Sequence, residues 1–311
     1  MTADTRRICG RRRCLQGRVR SSGAGCEHAG PLGGCDSGLV RLATLNVFGL
    51  TGNWSDRLDT LRDGFVELNA DLVTLQEAVL SQEVDQAAAI MGPGFELAHA
   101  RHREANGSGI TTASRWPLGR IVEIDLHVTE RTHEFACTCL VTEILAPHPY
   151  GRIWLANHSP DYQVDHERER RLQAATVARA LDGLAAEAPG HVIVAGDMNA
   201  DDAADSIRFW TGRHVIDDLS VCYRNAWESA RPTESLNSFV PDNPLSTDWD
   251  WPFRSIDHAF VRCAAHGGPT LPISDCRRVF DQPPIPSDHY GLIVELDAPP
   301  RWPLPTEHPD T

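Results

Sequence analysis

Short apolar runs that each end in a polar or acidic residue constrain this chain most. Leu-Ala-Thr-Leu runs into Asn46, Val-Thr-Leu-Gln into Glu77 and Ile-Trp-Leu-Ala-Asn into His158. Val-Ile-Val-Ala-Gly is followed by Asp197 and Asn199, Ser-Ile leads into Asp257 and His258, and Pro-Ser into Asp288 and His289. Runs of this length bounded by turn residues read as buried strands. Polar residues at strand ends can converge on one rim of a sheet.

Between these runs the period changes from strand to helix. Apolar residues at 54, 58, 61, 65 and 68 predict a helix over 54–68, and 82–91 reads as a helix stopped by Gly92-Pro93. Residues 165–188 form a long predicted helix, and 203–210 a short one. Strands are predicted at 39–47, 72–75, 95–98, 109–113, 120–128, 134–145, 152–157, 192–195, 255–261 and 291–296. Strands and helices interleave, with strand pairs in the middle spaced for hairpins. That argues for an α/β sandwich with mixed sheets. No internal repeat is visible in the sequence.

Charge divides the chain. The net charge is −14, but residues 1–38 carry +4, which leaves −18 on the rest. So acidic a body is poorly built to hold a phosphate backbone by charge alone. All 29 basic residues are arginine, consistent with a coding bias. Residues 1–38 read as a disordered basic tail. It contains Cys9, Cys14, Cys26 and Cys35, in pairs separated by four and by eight residues rather than at zinc-site spacing. It also reads as a non-native extension, with translation starting nearer Val40. Residues 39–298 are read as one catalytic domain and 299–311 as a flexible proline-rich tail. No apolar run reaches the roughly 18 residues of a membrane span, and no secretory signal opens the chain. The expectation is a cytoplasmic protein with reduced thiols and a monomer.

The ordered set of punctuated strands resembles the endonuclease/exonuclease/phosphatase superfamily. The resemblance runs from about Val40 to Leu296. It rests on Leu45-Asn46-Val47, Leu75-Gln76-Glu77, Gly109 through Ser114-Arg115-Trp116-Pro117, His158, Gly196-Asp197-Met198-Asn199, Ile256-Asp257-His258 and Ser287-Asp288-His289. It implies a four-layer α/β sandwich of two mixed β-sheets packed face to face and flanked by helices. It also implies metal-dependent hydrolysis of a phosphate ester by in-line attack of water. Mg²⁺, with Mn²⁺ as an alternative, prefers oxygen ligands and keeps several waters, so few protein ligands suffice. Glu77 is the implied main ligand, supported by the Asn46 amide oxygen and by Asp288.

By the same resemblance Asp197 accepts a proton from the attacking water, and Asn199 holds Asp197 or donates to a phosphoryl oxygen. His158 and His289 donate to the charged oxygens. Asp257 bonds the far ring nitrogen of His289 and favours its protonated form.

There are departures from the family pattern. The family's Asn-Thr-His appears here as Ala156-Asn157-His158. Asn157 should face away from His158, because a strand alternates faces. His258 stands where Tyr is common and reads as packing or support.

Other candidates read as structural. Asp161, His166 and His148 read as solvated loop residues. An arginine of the Arg101/Arg103 pair is a candidate for a second phosphate or a polar headgroup. Aromatics of residues 223–253 (Trp227, Phe239, Trp249, Trp251, Phe253) either stack on a base or pack the loop. Cys137, Cys139, Cys222, Cys263 and Cys276 read as structural. A small or lipid-like phosphate ester is the favoured substrate. DNA or RNA is the alternative, and a catalytically silent binding module of the same fold is the third reading.

Overall fold

The structure, a computed structural model, describes residues 38–246, 252–265 and 267–299. The sequence readings for residues 1–37 and 300–311, and for Trp249 and Trp251, lie outside the described residues.

The chain opens with β1 (Leu39–Asn46), α1 (Trp54–Leu68) and β2 (Leu72–Val79), followed by α2 (Gln86–Met91), β3 (Glu96–His99) and β4 (Ser108–Ser114). Next come β5 (Leu118–Asp125), β6 (Thr138–Leu145), β7 (Arg152–Ser159), α3 (Glu167–Glu187), β8 (His191–Asp197) and α4 (Asp205–Trp210). The chain continues through β9 (Tyr223–Asn225), α5 (Ala226–Ala230), β10 (Asp257–Arg262), β11 (Ile273–Val279) and β12 (Gly291–Asp297). Two six-stranded sheets result. The first has the order β11-β12-β1-β2-β4-β3 and the second β5-β6-β7-β8-β10-β9. Both are mixed, because β1 runs parallel to β2 and β7 parallel to β8 while the other pairs are antiparallel. The four-layer sandwich expected from the resemblance is the fold observed.

Apolar burial holds the layers together. Leu42, Leu72, Leu292 and Val294 of the first sheet meet Ile153, Leu155, Ile193 and Val261 of the second. The outer face of the first sheet packs Ala43, Leu45 and Val73 on Leu61, Phe65 and Leu68 of α1. The outer face of the second packs Trp154, Val192 and Val194 on Val177 and Leu181 of α3 and on Trp210 of α4. Each aliphatic side chain buried this way contributes about 2 kcal/mol.

At the centre of each sheet sits a strand–helix–strand unit, β1-α1-β2 in one and β7-α3-β8 in the other. The fourth residue of each helix is a buried arginine, Arg57 at 6% exposure and Arg170 at 5%. Each turns back on the loop before its own helix. Arg57 donates to the carbonyls of Val47, Phe48, Gly49 and Thr51. Arg170 donates to those of Asp161, Gln163 and Val164. The sequence shows no repeat, yet the two halves solve the strand-to-helix turn in the same way.

The helix over 54–68 and most strands lie where the hydrophobic periods place them. β9, α5 and β11 were not read from the sequence. β11 is an edge strand whose burial alternates with polar positions (Ser274, Asp275, Arg277, Arg278), so it carries no apolar run. β2 extends beyond the predicted 72–75 because it continues through a register shift between Leu75 and Ala78.

Gly196 is required where β8 passes β7. Its φ is 150°, and a Cβ there would lie 2.1 Å from the His158 carbonyl oxygen. Gly196→Ala should therefore destabilise the protein by roughly 2 kcal/mol or more, seen as a lower midpoint in thermal or urea denaturation.

Candidate active site

The strand ends converge as the punctuated sequence implied. Asn46 ends β1, Glu77 lies in β2, Asp197 ends β8 and Asp257 begins β10, while Asp288 and His289 precede β12. Glu77, Asp197, Asn199 and His289 line a cavity of about 550 Å³, and Asn46 and Asp257 bond to them from behind.

Local backbone strain aims several of these groups. Phe48, Glu77 and Asn199 all have positive φ, at 58°, 57° and 52°. Such values are costly outside glycine and persist only where surrounding bonds enforce them. At Glu77 the cause is the irregularity in β2, since a bulge can re-aim a side chain. Gln76 turns between the sheets and donates to Asn157, while Glu77 turns outward into the cavity.

The polar contacts form one connected set. Asn46 Nδ2 donates to Glu77 Oε1 at 3.0 Å and to Asp197 Oδ2 at 3.1 Å. Its Oδ1 accepts from the Phe48 N–H at 3.0 Å. The Asn46 amide oxygen thus holds the backbone at Phe48 with one lone pair, while its nitrogen spaces the two carboxylates. Asp197 Oδ1 accepts from the Asn199 N–H at 3.0 Å. The Asn199 side chain donates to the Pro160 carbonyl, tying the loop after β8 to the loop after β7. His289 Nδ1 lies 2.9 Å from Asp257 Oδ2, and its Nε2 lies 3.8 Å from Asp197 Oδ2.

Charge follows from burial and neighbours. Burial works against a charge on His289, but the carboxylates of Asp257, Asp197 and Asp288 outweigh it and raise its pKa well above the ordinary imidazole value. His289 is therefore a cation with Nδ1–H given to Asp257. Burial raises Asp197 to about 6, with Asp257 adding to the rise and His289 opposing it. Burial also raises Asp288 to about 6, reinforced by the like charge of Glu77.

His158 is placed differently from the other predicted residues. It is buried, edge-on to Trp210 with ring centroids 6.2 Å apart, and burial lowers its pKa to about 3. It is a neutral imidazole, and its neighbour Ser159 lines the cavity. Asn157 faces the opposite way, between the sheets, where it donates to the carbonyls of Leu75 and Thr111. That is the direction expected from strand alternation.

The donor set fits a hard divalent cation. Glu77 and Asp288 offer oxygen ligands, and their mutual repulsion is the kind of charge a cation relieves. Asp197, Asp257 and His289 also offer atoms all within 4.8 Å of one another. There, however, His289 is held cationic with Nδ1 committed to Asp257, which suits proton handling better than metal ligation.

Several groups were missed or misread from sequence. Arg57, besides clasping its own loop, donates to the Pro286 carbonyl at 2.7 Å and so joins the loops that carry Asn46 and Asp288. Its signal was an arginine in the apolar stripe at 57, 61, 65 and 68. Arg103 holds no outer phosphate site. Its guanidinium is spent on the carbonyls of Ala78, Ala100, Gly107 and Ile110. Arg101 is exposed and pairs with Glu123. Asp161 and His166 are buried and paired with each other at 3.0 Å rather than solvated. His258 stacks on Phe260 and bonds the Ala200 carbonyl, a supporting role as read. Of the aromatic segment, Phe239 packs on His289 with centroids 4.9 Å apart and lines the cavity.

Arg57→Lys keeps the charge but replaces a five-donor fork with a point donor. It should cost about 3 kcal/mol in stability, read by chemical denaturation, and should weaken divalent-cation binding measured by calorimetry.

Comparisons with known proteins bear on the fold and the family. Three solved structures resemble the chain in fold. An endonuclease/exonuclease/phosphatase from Bacteroides vulgatus has 19% identity and TM-score 0.65, covering 84% of this chain and 99% of that one. D. rerio TDP2, complexed with a single-strand DNA product, has 19% identity and TM-score 0.64, covering 84% and 100%. The human Nocturnin catalytic domain with bound sulfate has 16% identity and TM-score 0.64, covering 84% and 94%. No curated protein sequence matches the chain. The sequence profile of the Endonuclease/Exonuclease/phosphatase family matches residues 43–289, from β1 to His289. The chain belongs to that family of metal-dependent phosphoric ester hydrolases.

Proposed function

We propose that this chain hydrolyses a small or lipid-like phosphate ester with Mg²⁺ bound by Glu77 and Asp288, Mn²⁺ being suited to the same oxygens. The observation that carries the reading is the Asp197–His289–Asp257 array, with Asp197 and His289 sharing a cavity with Glu77 and Asp288 close enough to feel the charges of Glu77 and His289. The cation supplies Lewis-acid stabilisation of charge on the phosphoryl group. Asp197, held by Asn46 and the Asn199 N–H, orients the attacking water and takes its proton. Its pKa near 6 suits a base that works near neutrality. His289 turns Nε2–H to a phosphoryl oxygen, its charge sustained by Asp257. Asn199 keeps Asp197 in register. His158, buried and neutral, supports the wall behind rather than supplying positive charge.

The cavity lining favours a substrate that is not a polyanion. Glu104 and Glu134 line it together with Arg254 and with Phe135 and Tyr162, whose rings meet edge to face at 5.2 Å. Two carboxylates against one guanidinium slow the approach of a phosphate backbone. Among the described residues no helix is long and apolar enough to cross a membrane. A nucleic acid substrate is the second reading, favoured by the likeness to a TDP2 crystallised with a single-strand DNA product.

EDTA should abolish hydrolysis of bis-p-nitrophenyl phosphate, and added Mg²⁺ should restore it. Asp197→Ala and His289→Ala should each lower the rate by about 10²–10³ with the fold intact by circular dichroism. Hydrolysis insensitive to EDTA overturns the metal-dependent reading. Faster cleavage of oligonucleotides than of any small ester overturns the substrate preference. Glu104→Gln with Glu134→Gln should raise oligonucleotide cleavage relative to the small ester, most at low salt.

A further inference from the structure

Cys222 and Cys263 lie at the end of β10 opposite to Asp257, away from the cavity floor. The antiparallel register of β9 and β10 pairs Phe260 with Asn225, Val261 with Arg224 and Arg262 with Tyr223. One step further sets Cys263 opposite Cys222, and the Cys263 N–H donates to the Cys222 carbonyl at 2.9 Å. Opposed residues of such a pair project their side chains to the same face. When hydrogen-bonded, their Cα atoms are roughly 5.5 Å apart, a separation typical of disulfides. Burial first, and then the neighbouring Cys222 thiol, push the Cys263 thiol up to about 11.

Access separates this pair from the other described cysteines. Cys222 is exposed and Cys263 half-buried, while Cys137, Cys139 and Cys276 are buried. Gly212 sits over Cys222 with φ 75° and no side chain; a Cβ there would lie 3.7 Å from the Cys222 sulfur.

We propose that Cys222 and Cys263 form a modification site, a dithiol that a small disulfide oxidant such as glutathione disulfide converts to an intramolecular disulfide. Cys222, as thiolate, attacks one sulfur of the oxidant, forming a mixed disulfide and releasing one glutathione thiolate. Cys263, on losing its proton, attacks the Cys222 sulfur and releases the second. Two protein thiols are oxidised, one disulfide is reduced to two thiols, and the two protein protons pass to the departing thiolates. The bond closes the chain from Cys222 to Cys263 and restricts the unfolded state. Because it forms at the end of β10 remote from Asp257, hydrolysis proceeds unchanged.

The full chain is incubated with glutathione disulfide and mapped by mass spectrometry of non-reduced peptides. A peptide pair joining Cys222 to Cys263, lighter by two hydrogens and separated by dithiothreitol, is the expected result. The oxidised wild type should melt several degrees higher, and Cys222→Ser and Cys263→Ser should each remove that rise. Glutathione retained on Cys222 with Cys263 free, linkage of either residue to another cysteine, or no reaction overturns the proposal.

Discussion

The buried guanidinium of Arg57 is the constraint on which the rest of the site depends. A charge taken from water is costly unless it is hydrogen-bonded on all sides. Arg57 meets that demand with five backbone carbonyls, from Val47, Phe48, Gly49, Thr51 and Pro286. Satisfying them shapes the loop after β1, including the left-handed Phe48 whose N–H fixes the Asn46 amide. The same bonds bring the segment before Asp288 alongside. The nearby charges of Glu77 and Asp288 help keep the guanidinium charged despite its burial. Arg170 braces the loop after β7 in the same manner, and Arg103 ties the stretch between β3 and β4, through Ala100 and Gly107, to β2 and β4. In a chain with no lysine, this bracing relies on the one cation with a planar fork of donors.

On that frame the charges of the candidate site are set against one another. Asp197, Asp257 and Asp288 surround a single imidazole, and their sum overcomes the burial that would neutralise it. Burial above all lifts Asp197 and Asp288 to about 6, with Asp257 adding to the rise at Asp197 and Glu77 at Asp288, while the His289 charge opposes both. His158 shows the contrast: burial lowers its pKa to about 3 and leaves it neutral.

Much of the fold was legible because its strands are apolar and its main helices periodic. The convergence of the candidate site residues was legible because each strand end carries a polar residue that burial alone does not explain. What escaped had weak local signals. β11 alternates polar and buried positions at a sheet edge, and β9 is only Tyr223–Asn225. Arg103 looked like a phosphate holder because an arginine near a glycine turn reads the same whether its donors face solvent or carbonyls. Asp161 and His166 looked solvated because their partner in each case is the other.

The sequence by itself determined the alternation of elements, the family and the residue types at the strand ends, since these follow from local period and local chemistry. Only the tertiary structure decided how those residues act together. The direction of the Asn46 amide, the neutrality of His158 and the charge on His289 depend on groups up to more than a hundred residues away, which meet only when the two sheets close. Hydrogen-bond direction and desolvation are properties of that meeting.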